Sequence, residues 1–442
     1  MTDDRQLKRS LSLFAVVCLG LNGVIGQGIF FLPGKAATQM GPAALIGLLI
    51  GAVLCFCIAL CFAEVGSRVQ GTGGAYLYAR KAFGPFVGFE VGWMTCCVAV
   101  IAWATLANGF TRVFAEFFPA IDSGMTQKLV SVAVVTGLTL INLRGAEMGA
   151  RIVKFFTVAK LVPIAVFILV GLFYIEPTNF TPFAPHGYDS IAETTMILLY
   201  AYVGFETMVV PAGEMSNPKR AVPLSLFIVI SVSALVYVLL YVVATGTYAQ
   251  LAGTKNPVAL AAGEFLGSFG GTLILIGIAL SVFGTNAGAA FVSPRRFFAL
   301  AERGDLPSIV GRVSPQTGAP VYAIILTWGL AVSLTLMGSF SELLVLGVVA
   351  RFAQYIPTTL AVLVLRRRPD FDPQDGFTIP GGPFIPLVTL ALCGWLLHGV
   401  YQQSPHKLIM GGYALGVGAC LYGWKAMMGT RKTDSAVGGS EV

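Results

Sequence analysis

Charged residues are scarce in this sequence. Asp, Glu, Lys and Arg together make up 11% of the chain, whereas apolar residues make up 56% and the mean hydropathy is +0.80. So few charges cannot cover the surface of a water-soluble protein of this size. The composition therefore predicts a protein that lies in a lipid bilayer.

The sequence also lacks the usual motifs of metal and nucleotide chemistry. Its three histidines, His186, His398 and His406, are far apart, and neither an HExxH zinc motif nor a GxxxxGK[ST] nucleotide-binding loop occurs. The eight cysteines all fall in apolar runs, where a small buried side chain is expected, and we assign no disulfide to them. We expect no enzyme, cofactor or metal site. A channel, a secondary transporter or a sensor derived from one remains.

Long apolar runs recur from end to end of the chain. A helix needs about 20 apolar residues to cross the hydrocarbon core of a bilayer. The runs predict an all-α membrane protein with twelve spans, at 11–34, 43–65, 85–117, 127–143, 151–174, 190–213, 221–247, 270–299, 320–338, 342–365, 384–402 and 407–427.

Basic residues predict how these spans are oriented. With twelve spans both termini lie on one side, and the loops of that side carry most of the Lys and Arg residues. The other side carries only Lys35, Arg112, Lys128, Lys255 and Lys407. Because basic loops stay in the cytoplasm, we expect residues 1–10 and the tail 428–442 to be cytoplasmic. This asymmetry explains the excess positive charge without a nucleic-acid partner.

Two of the predicted spans are interrupted. Span 1 contains GVIGQGIF at 23–30, and span 6 contains YAYVGFET at 200–207. Glycine is a poor helix former, and a glutamine is costly in hydrocarbon. Secondary transporters are often built from inverted repeats whose first helices are broken at matching positions. The spacing predicts one repeat at 11–175, a second at 190–365, and two appended spans at 384–427.

Four segments are similar to those of the amino acid/polyamine/organocation permeases, in particular the bacterial amino acid permeases. They follow one another in the order seen in that family: GVIGQGIF at 23–30, GTGGAYLYARKAFG at 71–84, GEMSNPKRAVP at 213–223 and SPRRFFALAERGDLP at 293–307. The resemblance implies the LeuT-type fold, in which an amino acid binds at the midplane between the two broken helices.

The resemblance also implies a set of substrate-binding residues. Free N–H groups at the second half of span 1 suit a carboxylate, and free carbonyl groups in both breaks suit an ammonium group. The candidates are Val24, Ile25, Gly26, Gln27 and Gly28 in span 1, and Tyr200, Val203 and Phe205 in span 6. Tyr200 matches an aromatic gate. Gln27 departs from the family, where a small residue is usual, and its amide can either donate to the carboxylate or fill space.

Three charged residues within the spans are candidates for a role in transport. Lys160 is about 9 Å deeper along span 5 than Lys154, and it matches a lysine that replaces sodium in proton-coupled and exchanging relatives. Glu206 is a candidate proton carrier or substrate contact, with a structural role in the span 6 break as the alternative. Arg351 is a candidate gate residue that needs an anion, which is Glu206, Glu342 or a substrate carboxylate.

These observations predict a secondary transporter of the bacterial inner membrane. We expect it to move an amino acid by alternating access, with protons as the coupling ion, Lys160 as the proton-sensing group and no sodium. An obligate amino acid or polyamine exchanger is the alternative, and a non-transporting amino acid sensor is a further one. The substrate and the oligomeric state do not follow from the sequence.

Overall fold

The described part of the chain is built almost entirely of helices. The computed structural model describes residues 10–115, 117–121, 124–254, 256–337, 340–403 and 405–437; the outer parts of both predicted cytoplasmic termini, 1–9 and 438–442, lie outside them. The α-helices are α1 Leu13–Val24, α2 Gly28–Met40, α3 Ala44–Arg68, α4 Ala75–Phe83, α5 Pro85–Ala115, α6 Gly124–Leu143, α7 Ala146–Gly171, α8 Ile191–Tyr202, α9 Pro218–Thr247, α10 Pro257–Glu302, α11 Val321–Met337, α12 Phe340–Leu365, α13 Phe384–Gln403 and α14 Pro405–Val437.

Many of these helices are suited to a bilayer. Among the described residues, eight helical segments are long and apolar enough to span a membrane, and the first of them, Leu13–Arg68, joins α1, α2 and α3. Two shorter apolar helices are Val321–Met337 and Ala350–Leu365. A helix pairs its backbone N–H and C=O groups internally, and this is required in a bilayer because hydrocarbon offers them no hydrogen-bond partners. The chain is therefore a helical, multi-pass membrane protein.

The broken first helix lies at the centre of the molecule. α1 packs against α7, α9 and α10, while α2 packs mainly against α8. Small residues allow these helices to approach closely. A Cβ atom added at Gly284 of α10 would be 2.7 Å from the Cβ of Phe156, and one added at Gly277 would be 2.8 Å from the Cβ of Pro163. The glycines of α10 thus let it lie directly on α7.

Two helical segments were not anticipated from the apolar runs. α4 is a short helix between two spans, and it carries the basic residues Arg80 and Lys81 in its last turn. α10 begins at Pro257, well before the expected start at residue 270, and it bends at Gly267, where φ is +63°. The glycine-rich stretch around Gly267 is typical of a loop, but proline at the first helical position and the left-handed glycine together allow a bent helix.

Candidate substrate site

The first helix is interrupted where the sequence predicts it. α1 ends at Val24, Ile25 has non-helical backbone angles (φ −76°, ψ 80°), and α2 begins at Gly28. The Gly26 N–H group turns back to donate to the Val24 carbonyl oxygen at 2.8 Å. A Cβ atom at Gly28 would lie 3.1 Å from the Tyr200 ring, so this position favours glycine. The first N–H groups of a helix lack the partner four residues earlier that later ones have, and here the Phe30 N–H group donates to the Gln27 carbonyl oxygen at 3.2 Å.

The second broken helix touches the first. α8 ends at Tyr202, and Gly204 follows with φ +118° before a single 3₁₀ turn over Phe205–Thr207. A Cβ atom on Gly204 would overlap the carbonyl oxygen of Gly23. Glycine is therefore needed at Gly204 both for its left-handed backbone and for the contact with Gly23.

A cavity of about 90 Å³ lies between the two interruptions. Seven of the residues predicted for the site contribute to its walls: Val24, Gly26, Gln27, Gly28, Tyr200, Val203 and Arg351. The remaining wall is formed by small or apolar residues of α1, α5, α8 and α10, together with Gly204 and Thr207. The lining thus combines residues of both interruptions with small side chains and the charged Arg351, an arrangement that suits a small molecule.

Ile25 and Phe205 lie outside the cavity wall. The Ile25 side chain is fully buried, and its carbonyl oxygen faces away from the cavity toward α7 and α10. The Phe205 ring stacks on Tyr355, with ring centroids 5.7 Å apart, and meets the edge of Phe62 at 6.0 Å. Phe205 therefore packs into the helix core behind the break.

Gln27 fills space beside the cavity. Its side-chain amide donates to the Tyr200 hydroxyl at 3.3 Å. Its carbonyl oxygen is buried and has no hydrogen-bond partner within the described residues. A Cβ atom on Gly109 of α5 would collide with that oxygen, so the absence of a side chain at Gly109 makes room for the glutamine. The unpaired oxygen is an acceptor at the edge of the site.

Lys160 holds the end of α1. Its ammonium nitrogen lies 2.6 Å from the Ile25 carbonyl oxygen and 3.0 Å from that of Asn22. The side chain is completely buried. Ser281 of α10 also donates to the Ile25 oxygen at 3.0 Å, and Thr285 donates to the Asn22 oxygen at 3.0 Å. Carbonyls freed by the interruption are thus satisfied by side chains from α7 and α10.

The polar residues of α10 have different partners. Thr285 also lines the cavity, so it contacts both the site and the end of α1. Asn286 donates its side-chain amide to the Leu106 carbonyl oxygen of α5 at 2.9 Å. Thr285 thus lines the cavity and also bonds to another helix, whereas Ser281 and Asn286 make bonds between helices.

Arg351 pairs with Glu206. The Arg351 Nε atom lies 2.9 Å from one carboxylate oxygen, and the other oxygen accepts from the Tyr355 hydroxyl at 3.0 Å and the Gly204 N–H at 2.9 Å. The Glu206 side chain is fully buried. Of the anions that the sequence allowed for Arg351, Glu206 is thus one that it contacts, and the Glu342 side chain lies outside the described part. The pair fixes the Gly204 turn while Arg351 also faces the cavity.

Tyr237 of α9 is a site residue that the sequence did not reveal. Its hydroxyl oxygen lies 2.7 Å from the Val24 carbonyl oxygen and 2.9 Å from the Ala201 carbonyl oxygen. The side chain is completely buried. Tyr237 therefore connects the ends of α1 and α8. A tyrosine in a long apolar run is the only sequence signal for it, and that signal does not specify a partner.

Three of the segments that resemble permeases meet on one side of the molecule. Asp305 accepts hydrogen bonds from Tyr76 and Arg80 of α4 and from Lys425 of α14, each at 2.6 Å. Burial, followed by the hydrogen bond to Asp305, raises the pKa of Tyr76 well above its ordinary value. Nearby in sequence, Arg295 forms a buried ion pair with Glu214. The bonds of Asp305 thus connect the segment that follows α10 to α4 and α14.

No group of three His, Cys, Asp or Glu side chains that could hold a metal ion occurs within the described ranges. The described cysteines are all free thiols. The polar groups of the site are therefore backbone amides and carbonyls together with Lys160, Glu206, Arg351 and the hydroxyl groups around them.

Comparisons with known proteins agree with this geometry. Residues 11–408 match the family model described as amino acid permease. The serine/threonine exchanger SteT of Bacillus subtilis (strain 168) is 30% identical over 88% of the chain and 90% of the relative. From the same organism, the branched-chain amino acid permease BcaP is 27% identical over 89% and 88%, and the methylthioribose transporter is 27% identical over 90% and 89%.

Proposed function

Since the chain belongs to the amino acid permease family, which consists of membrane transporters and not of enzymes, we propose that it carries an amino acid across the membrane by alternating access. The cavity between the two interrupted helices is the proposed binding site. It opens in turn to either side as the helices around it tilt.

The proposed architecture is a LeuT-type fold of twelve spans. Residues 11–175 and 190–365 form the two inverted repeats, and 384–427 adds two spans. The equivalent positions of the two interruptions support this arrangement, because each lies in the first helix of its repeat. We place the protein in the bacterial inner membrane with both termini in the cytoplasm, as the distribution of basic residues indicates.

The substrate is proposed to bind as a zwitterion. Its carboxylate accepts from the N–H groups at the start of α2, where the helix dipole is also favourable. Its ammonium group donates to carbonyl oxygens at the ends of α1 and α8. Backbone groups contact only the carboxylate and ammonium groups that all amino acids share. The size of the substrate's own side chain is therefore set by wall residues such as Ala102, Thr105 and Ala289.

Proton coupling is proposed to act through Lys160. The observation that carries this proposal is the Lys160 ammonium group between the carbonyl oxygens of Asn22 and Ile25. The protonated amine binds both carbonyl oxygens through charge-assisted hydrogen bonds, which a neutral amine does not make. A neutral amine releases the end of α1 and lets the inner half of the site open. The same ammonium occupies the carbonyl cluster in place of sodium.

Obligate exchange is the second candidate. The relative SteT is named as an exchanger, and the bonds of Lys160 also suit an ammonium that stays charged throughout the cycle. In that case the lysine is a structural brace, and the loaded site returns only with a second substrate molecule.

The two candidates differ in their dependence on a pH gradient. We suggest screening amino acids by thermal shift on the purified protein and then measuring uptake of the hits into proteoliposomes. Proton coupling predicts accumulation into empty vesicles that requires an inward proton gradient and is unaffected by a sodium gradient. Uptake that requires internal substrate and ignores the pH gradient would support exchange. Binding without any flux would indicate a sensor.

A further inference from the structure

A second and larger cavity lies away from the substrate site. It is a groove of about 630 Å³ between α3 and the first turns of α9, and Gly376 and Phe377 also line it. Its walls are mostly apolar, with Phe56 and Leu60 on one side and Leu224 and Phe227 on the other. Phe227 is 54% exposed, so this wall continues onto the outer face of the helices. Both helices belong to candidate membrane-spanning segments, so we expect this exposed wall to face acyl chains of the bilayer.

The end of the groove carries positive charge. Lys219 and Arg220, in the first turn of α9, both line it and both are exposed. Lys219 makes one ion pair, with Asp375 at 3.4 Å, between side chains that are 51% and 69% exposed. An exposed pair of this kind contributes little to stability and exchanges partners readily. No ion pair of Arg220 is found within the described ranges.

The combination of apolar walls and a basic end fits only an amphipathic ligand with an anionic head. A small soluble anion would leave the apolar walls without a partner, and an apolar molecule would leave Lys219 and Arg220 without one. Because the charges lie where α9 begins and the walls lie along its length, head and chain are aligned as they are in a bilayer leaflet. We propose that this groove binds one anionic phospholipid from the membrane, with its phosphate at Lys219 and Arg220 and an acyl chain against Phe56, Leu60 and Phe227.

Such a lipid would join three parts of the chain. It contacts α3, α9 and the segment around Phe377, whose carbonyl oxygen already accepts a bond from Arg68 of α3. A ligand that binds only the folded protein stabilises it. The lipid therefore strengthens the packing of α9, the helix that carries Tyr237.

The test uses the full-length protein in nanodiscs of equal parts phosphatidylglycerol and phosphatidylcholine, released into detergent for native mass spectrometry. We expect one phosphatidylglycerol to remain bound. The double variant Lys219→Gln/Arg220→Gln should bind it roughly thirtyfold more weakly, since each of the two basic residues near an anionic headgroup is worth about 1 kcal/mol. The matched control Arg303→Gln/Arg312→Gln removes the same charge from exposed residues outside the groove, and it should retain the lipid.

Variants of the wall separate lipid binding from simple charge attraction. Leu224→Trp fills the groove and should also lose the lipid, although it keeps both basic residues. Phe227→Ser serves the same purpose at an exposed position, in case the tryptophan prevents folding. Inorganic phosphate should not displace the lipid. The proposal is overturned if the glutamine double variant retains the lipid, if only the charge variants lose it, or if phosphate displaces it.

Discussion

The Lys160 side-chain nitrogen lies 2.6 Å from the Ile25 carbonyl oxygen, so a side chain of α7 contacts the residue at which α1 ends. Replacing this lysine with a neutral side chain of similar length removes the charge while keeping most of the volume. In the Lys160→Met variant we expect the substrate accumulation driven by a proton gradient to fall about tenfold or more. The reason is that methionine cannot bind a proton, so the contact with the end of α1 no longer responds to one.

The matched control is Lys154→Met, on the same helix but nearer its end. It should keep gradient-driven uptake close to that of the unaltered protein. Both variants are compared in proteoliposomes at the same protein content, and substrate binding is measured in parallel. Gradient-driven accumulation that survives in Lys160→Met would remove the lysine from the coupling mechanism.

The Arg351 and Glu206 pair supports a prediction about stability. Glu206→Gln leaves the buried guanidinium without its counter-charge, and breaking a buried pair in this way costs about 3–5 kcal/mol. We expect a clear fall in the thermal unfolding midpoint in detergent. The double variant Glu206→Gln/Arg351→Met removes both charges and should recover part of the loss. Equal destabilisation in the single and double variants would indicate that the two residues act independently.

The Gln27 side chain is expected to fit only when position 109 has no side chain. Gly109→Ala places a methyl group on the Gln27 side-chain oxygen, and overpacking of this kind costs about 1–3 kcal/mol. We predict weaker substrate binding by roughly tenfold, measured by thermal shift or calorimetry. Gln27→Ala in the same chain should restore it. Gly137→Ala is the control, since a Cβ atom there meets nothing within 4 Å.

Tyr237 is predicted to matter for binding more than for folding. Tyr237→Phe removes only the hydroxyl that joins the ends of α1 and α8, at a cost of about 1 kcal/mol for a hydrogen bond. We expect substrate affinity to fall about fivefold as the two ends lose their common partner. Tyr241→Phe is the control on the same helix, because that hydroxyl donates to the Gly41 carbonyl oxygen at 2.9 Å, beyond the site. A similar fall in both variants would point to a general packing effect.

The sequence predicted the parts of the site that depend on backbone chemistry. Glycines around Gln27 and at Gly204 are poor helix formers, and the helices stop at them. The depth of Lys160 and Arg351 in apolar runs required buried polar partners, and Glu206 provides one. These inferences need only local composition and the cost of charge in hydrocarbon.

The parts that depend on packing were not accessible from the sequence. Phe205 was expected near the substrate, but the left-handed turn at Gly204 directs it behind the break, against Tyr355. Gly109 gives no sign that it accommodates Gln27, because the two lie on different helices. Tyr237 lies 213 residues after Val24 in the sequence. Such contacts depend on how each helix is rotated about its own axis. The sequence does not show this rotation when apolar residues lie on all sides of a span.

The Tyr237 hydroxyl lies between two hydrogen-bond acceptors. A phenol has a single proton to donate, yet its oxygen faces the carbonyl groups of both Val24 and Ala201. The phenol therefore serves one of these acceptors at a time, while the Val24 oxygen also accepts from the Gly26 N–H group at 2.8 Å. Each carbonyl oxygen has two lone pairs, so a cation arriving in the cavity can add a bond to the acceptor that the phenol has left.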